Sequence, residues 1–250
     1  MSGVERNGPE RVMGPIGRWM VVMEMTLREL LRRRVMLVLL IAVPATFALS
    51  SADHEGRAIR FAAIGTAWAA STLGLFSALG SRDVDRRLRV AGHSMSGLTV
   101  GRLGSVTVLS GILAGGAAAA CIAYFQPDRW PAVLLMFALV ALIGPPFGMV
   151  CAALVPRELE GALVLMTVTG MQFLMDPVRA AAKLLPFWST RELATYAVDH
   201  TGVTDLRQAV LHAAVYLLGL TVVLVMVQRR RLHRWVRPQP TVGPNPARPV

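Results

Sequence analysis

Histidine, serine, cysteine and lysine are the residues from which a hydrolase, a metal centre or a nucleotide site would be built, and their spacing here builds none of these. His54, His93, His200, His212 and His233 are dispersed and show no metal-ligand spacing. No H-E-x-x-H, C-x-x-C or G-x-S-x-G occurs, so the usual zinc, dithiol and nucleophile-elbow arrangements are missing. The single lysine, Lys183, stands in Ala-Ala-Lys-Leu, whereas a phosphate-cradling P-loop needs lysine after glycine. Ser94 and Ser96 lie beside His93 in a polar connection, outside any apolar stretch that would form a pocket. His212 reads as a packed or interfacial histidine. Cys121 and Cys151 read as small packing residues. The expectation is a protein that is not an enzyme, with no metal and no cofactor.

Charge is low and unevenly placed. Only 16% of the 250 residues are charged and 54% are hydrophobic, against about 25% charged in an ordinary soluble domain. The mean hydropathy is +0.52. Residues 35–52, 61–81, 103–127, 131–156, 161–175 and 208–228 contain no Asp, Glu, Lys or Arg. A bilayer core about 30 Å thick takes roughly 20 apolar residues as helix, and within it only helices and closed barrels satisfy the backbone. Barrel strands would alternate over segments of about 10 residues, and no such pattern is present. The sequence therefore predicts an all-α polytopic membrane protein with about six spans. No ionisable residue stands at mid-depth in any of them, which argues against an ion-coupled relay.

The basic residues orient the chain. Nineteen of the 26 fall in 1–34, 82–103, 156–160 and 228–250; Arg57, Arg60, Arg129, Arg179, Lys183, Arg191 and Arg207 fall on the opposite side. By the positive-inside rule both termini are expected in the cytoplasm. The net charge of +11 reads as topology and attraction to anionic lipid, not as nucleic-acid binding.

Along the chain, residues 1–16 and 236–250 are expected to be disordered. They flank a single domain over 17–235. In 17–34, Trp19, Met23, Leu27, Leu30 and Leu31 recur at helical spacing opposite Arg18, Glu24, Arg28 and Arg32, which predicts an interfacial amphipathic helix. Glu24–Arg28 and Glu29–Arg33 are i,i+4 pairs. The inner connection 82–103 has a charged helical half, a break at Gly92 and a Ser/Gly-rich half. Gly144-Pro145-Pro146 falls inside span four. The outer segment 176–198 is not plainly hydrophilic: apolar residues lie on both sides of Pro186, as expected of two short helices dipping back into the membrane.

This order of parts resembles the membrane-spanning permease subunit of type-two ATP-binding-cassette exporters. The likeness covers about 17–235 and rests mainly on layout. That family has an interfacial connector helix, a charged inner loop with a coupling helix, and re-entrant helices before the last span, matching 17–34, 82–103 and 176–198. The run Arg82-Asp83-Val84-Asp85-Arg86-Arg87-Leu88-Arg89, followed by Gly101-Arg102-Leu103, is similar to the family's charged loop. Glu-Arg and Thr-Pro are frequent in that loop; Asp-Arg and His93-Ser94-Met95-Ser96 stand here. The resemblance implies coupling to a separate ATPase subunit through Arg82, Asp83, Asp85, Arg86, Arg87 and Arg89. It also implies pairing with a second copy or a sister permease, and a place in the bacterial inner membrane. Thr66, Ser71 and Thr72 on span two, and Thr167, Thr169 and Gln172 on span five, are candidates for lining an export path or for interhelical packing. An apolar or amphiphilic cargo fits the uncharged spans. The competing expectations are a membrane assembly or anchoring protein, and then a secondary transporter.

Overall fold

The computed structural model of the chain describes residues 15–90, 94–155, 157–175, 180–199 and 201–235. The tail 236–250, residues 1–14 and residues 176–179 of the outer segment lie outside the described residues. Among the described residues the chain is helical and has no strand. In order come α1 (Pro15–Arg32), α2 (Arg34–Leu49), α3 (Glu55–Gly80), α4 (Arg82–Val90), α5 (Met95–Phe125), α6 (Trp130–Leu154) and α7 (Glu158–Leu174). A short 3-10 turn, Ala180–Leu184, then precedes α8 (Trp188–Val198) and α9 (Val203–Trp235).

Among the described residues four helices are long and apolar enough to cross a membrane: Glu55–Gly80, Ser96–Phe125, Trp130–Leu154 and Val203–Val227. The other two expected spans are shorter. α2 has 16 residues, which at about 1.5 Å per residue covers roughly 24 Å. α7 has 17 and opens with Glu158 and Glu160. One expectation changes. The Ser/Gly-rich half of 82–103 is not a loop but the first turns of α5, which starts at Met95. Ser94 is the reason: its hydroxyl accepts from the Gly97 N–H at 3.2 Å, a side-chain N-cap that starts the helix early.

α3 is the axis of the bundle, and 78% of its apolar window is buried. Its closest neighbour is α6, and the two backbones meet over small residues. A Cβ on Gly74 would drive into the Pro145 carbonyl, and one on Gly148 into the Ser71 carbonyl. Glycine is required at both positions because nothing else lets two helices approach so closely. α6 runs unbroken through Pro145 and Pro146. Those prolines supply no N–H to the carbonyls of Ala141 and Leu142.

The contacts define two ends. At one end Arg33 lies beside Gly80, and Arg82 donates to Ala152 and Val155. At the other, Phe47 at the end of α2 meets Phe61 near the start of α3, and Arg60 pairs with Asp199 after α8. α2 and α7 both run from the first end to the second. α2 packs through Leu40 against Leu73 and Val106, then through Ala48 against the cluster around Ile59 and Ala62. α7 begins just after Val155 and ends where Arg191 binds its last carbonyls.

Apolar side chains also cover the outside. Leu211, Val215, Leu218 and Val222 on α9, Val108 and Ile112 on α5, and Val38, Leu39 and Ile41 on α2 are exposed. Each such side chain gains about 1.5–3 kcal/mol on leaving water, whereas a whole domain is stable by about 5–15 kcal/mol. Such a surface fits lipid and not water.

Candidate functional site

Polar chemistry gathers at the two ends of the bundle. At the α4 end, α1 lies on α5: Gly101 leaves room for Val22, and the Ser105 hydroxyl donates to the Met23 carbonyl at 2.9 Å. Val22 and Leu30 are buried, whereas Trp19, Met20 and Met25 are exposed. α1 therefore rests on the bundle by one edge and leaves several apolar side chains exposed among its charged ones. Its two expected i,i+4 ion pairs, Glu24–Arg28 and Glu29–Arg33, are formed.

α4 is held by two of the expected coupling residues. Asp85 receives a bidentate fork from Arg102, at 2.6 and 3.0 Å. This pair is largely out of water, with side-chain exposures of 8% for Arg102 and 17% for Asp85. Arg82 reaches the last turn of α6, donating to the carbonyls of Ala152 at 2.7 Å and Val155 at 3.3 Å. A cation there offsets the negative end of the helix dipole. Arg87 is exposed. The side chains of Asp83, Arg86 and Arg89 lie outside the described residues. Arg82 and Asp85 thus bind α4 to α6 and α5. Arg102 is the partner that charge counting alone did not identify, since its mate lies 17 residues away, beyond any helical spacing.

At the α8 end three arginines do the same work. Arg191 donates to the Gln172 and Met175 carbonyls at 3.1 and 2.7 Å, closing the C-terminus of α7. Arg129 donates to the Tyr196 and Thr201 carbonyls, both at 2.9 Å, and stacks 4.4 Å over the Tyr196 ring. Arg60 pairs with Asp199. His212 and Tyr216 of α9 bond to the Lys183 and Leu184 carbonyls, which holds the 3-10 turn to α9. Phe187, Trp188, Ser189, Thr190 and Leu193 are buried. The apolar side chains of Phe187, Trp188 and Leu193 are therefore spent inside the bundle, whereas Leu184 is exposed. Burial pushes the Glu192 carboxyl above its usual range, and the Asp205 charge adds to this against the pull of Arg191 and Lys183.

The path-lining candidates divide. Thr66, Ser71, Thr72 and Thr169 are buried and donate their hydroxyls to the carbonyls of Ala62, Ala67, Trp68 and Leu165 in their own helices. Thr167 is exposed and donates to Leu163. Gln172 lines a cavity of about 100 Å3 with Arg60, Thr190 and Arg191. Its Nε2 and the Thr190 hydroxyl have no hydrogen-bond partner. That volume suits about three waters. Among the described residues no group of three or more His, Cys, Asp or Glu is placed to hold a metal ion.

The described residues are all helical, and four of their helices are long and apolar enough to cross a membrane, which points to a membrane protein. No protein-family model matches the chain, and no curated protein matches it.

Proposed function

We propose that the chain is the permease subunit of a type-two ATP-binding-cassette exporter, a half-transporter that pairs with a second copy or a sister permease and is driven by a separate ATPase. The observation that carries this reading is the attachment of α4. A short, highly charged helix lies between two long apolar helices and is bonded to α5 through Asp85–Arg102 and to α6 through Arg82. A force applied to such a helix passes to both neighbours, which is what a lever for nucleotide-driven motion needs. Arg87 is exposed for a partner, and Asp83, Arg86 and Arg89 belong to the same proposed contact.

In this reading α2 and α7 also cross, giving six spans, because each runs between the same two ends as the longer helices. The shorter pair is accommodated by local thinning of the bilayer or by tilt of its neighbours. The α4 end and both termini face the cytoplasm of a bacterial inner membrane, following the arginine distribution. The 3-10 turn and α8 are re-entrant, entering from the outer side and held by Arg129 and Arg191. The cargo is apolar or amphiphilic. Gln172 and its cavity are the best-placed polar lining on the outer side, and Thr66, Ser71, Thr72, Thr167 and Thr169 act as helix-packing residues unless the pairing of two permeases opens their seams.

The test is purification of the chain from its native membrane under mild detergent. A soluble ATPase should accompany it, with vanadate-sensitive hydrolysis that falls several-fold when Arg87 and Arg89 are replaced by Glu. A chain that brings down no ATPase and shows no such hydrolysis removes the export reading.

A further inference from the structure

A cavity of about 310 Å3 opens at the α4 end, between α1, the last turn of α3, α4 and the start of α5. Its volume falls at the lower edge of the roughly 300–1,000 Å3 typical of small-ligand pockets. None of the contacts that hold α4 fills it.

Its walls are of two kinds. Met25, Leu30, Phe76, Val84 and Leu88 make an apolar surface. Arg28, Arg32 and Arg33 stand at the end of α1 beside it, and Arg102 lies against its α5 wall. Arg28 and Arg33 answer to Glu24 and Glu29; Glu29 also lines the cavity. Arg32 has no ion-pair partner among the described residues, so the lining carries an uncompensated positive charge. Two buried donors are also unused: the Ser77 hydroxyl and the Arg102 Nε–H have no hydrogen-bond partner. Ser77 is 7% exposed, and Arg102 has already given both of its other nitrogens to Asp85. Unused donors in so buried a position call for an acceptor.

We propose that this cavity binds an anionic phospholipid, its phosphate toward Arg32 and the unused donors and its acyl chains along the apolar wall. A hydrocarbon ligand would leave Ser77 and Arg102 unanswered. Inorganic phosphate would leave the apolar wall uncovered. A zwitterionic headgroup brings its own cation against Arg32. α1 supplies the route of entry, since Trp19, Met20 and Met25 are exposed apolar residues on the helix that carries the arginines. Basic pockets between membrane helices on the cytoplasmic side recognise anionic headgroups in this way. The inference rests on the membrane reading and on the α4 end facing the cytoplasm. It does not rest on the ATPase.

The full chain in a non-ionic detergent is equilibrated with phosphatidylglycerol, with phosphatidylcholine, or with inorganic phosphate, and lipids retained after washing are counted by native mass spectrometry. Wild-type protein should retain phosphatidylglycerol in preference to phosphatidylcholine. Arg32→Gln should weaken that retention about fivefold, the value of one arginine near an anionic surface. Val84→Trp, which fills the cavity from its exposed edge, should abolish it. Equal retention of the two lipids by wild type overturns the proposal without reference to any variant. So does retention unchanged in both variants, or displacement of phosphatidylglycerol by inorganic phosphate. If an ATPase co-purifies while lipid selectivity is absent, the cavity proposal falls and the permease reading stands.

Discussion

Arg102 and Asp85 share two hydrogen bonds with little water around them, and that geometry fixes the cost of losing either side. Removing one partner of a buried pair leaves the other charge stranded, at about 3–5 kcal/mol. Asp85→Asn should therefore lower the thermal unfolding midpoint in detergent markedly. Arg157→Ala, which breaks an exposed pair with Glu160, should change stability by less than about 1 kcal/mol. Glu192 gives a pH signature. Its carboxyl is raised by burial first and by Asp205 second, so the folded protein holds the proton to higher pH than the unfolded chain. Stability then falls as pH rises from the ordinary carboxylate range through the raised folded value, and stays reduced above it. Glu192→Gln should be more stable than wild type at neutral pH, with the gap closing in acid. A gap that persists unchanged below the carboxylate range would show that charge is not its cause.

Helices here are joined by two devices that act on different lengths of chain. The first is the small-residue seam between α3 and α6. Gly148→Val places a branched side chain against the Ser71 carbonyl, and the helices must separate. The expected result is loss of a monodisperse peak in detergent gel filtration. Gly219→Val, where an added Cβ meets nothing within 4 Å, should leave that peak intact. The second device is arginine donating to helix-end carbonyls: Arg82 for α6, Arg191 for α7 and Arg129 for α8. Arg191→Ala should loosen α8 against α7. In a background with Cys121 and Cys151 replaced by Ala, Ser189→Cys is buried and should react slowly with a membrane-impermeant maleimide. Adding Arg191→Ala should speed that reaction severalfold. An unchanged rate would mean that packing of Phe187 and Leu193, not the arginine, holds the segment.

At the scale of the whole molecule, the burial of the four long helices is graded. α3 and α6 are mostly enclosed, at 78% and 61% of their apolar windows, whereas α5 and α9 are enclosed over 33% and 17%. The less enclosed pair must face lipid, another protein chain, or both. Topology is checked with single cysteines in intact cells, again without Cys121 and Cys151. Asp53→Cys should react with an impermeant reagent added from outside. Arg87→Cys should react only after the membrane is opened. The reverse pattern would place α4 outside and remove the basis for coupling and for inner-leaflet lipid binding alike.

Composition and charge spacing by themselves pointed to the helical class, to a membrane protein and to the four helices long and apolar enough to cross, because lipid imposes a one-dimensional rule. An apolar run of sufficient length must be helical, and its flanking arginines mark a side. The helical spacing of α1 and its Glu24–Arg28 and Glu29–Arg33 pairs were legible for the same reason, since helical spacing is local. What the tertiary structure alone decided is where distant polar groups meet. Asp85 finds Arg102, Arg82 finds Ala152, and Arg191 finds Gln172 across separations that no periodicity encodes. Thr66 and Ser71 were candidates for a path by type, yet their hydroxyls are committed within α3, because a buried hydroxyl in a helix takes the nearest free acceptor. The early start of α5 turned on the Ser94 cap. The cavity beneath α1 exists only because four elements converge there, and no single stretch of sequence carries its outline.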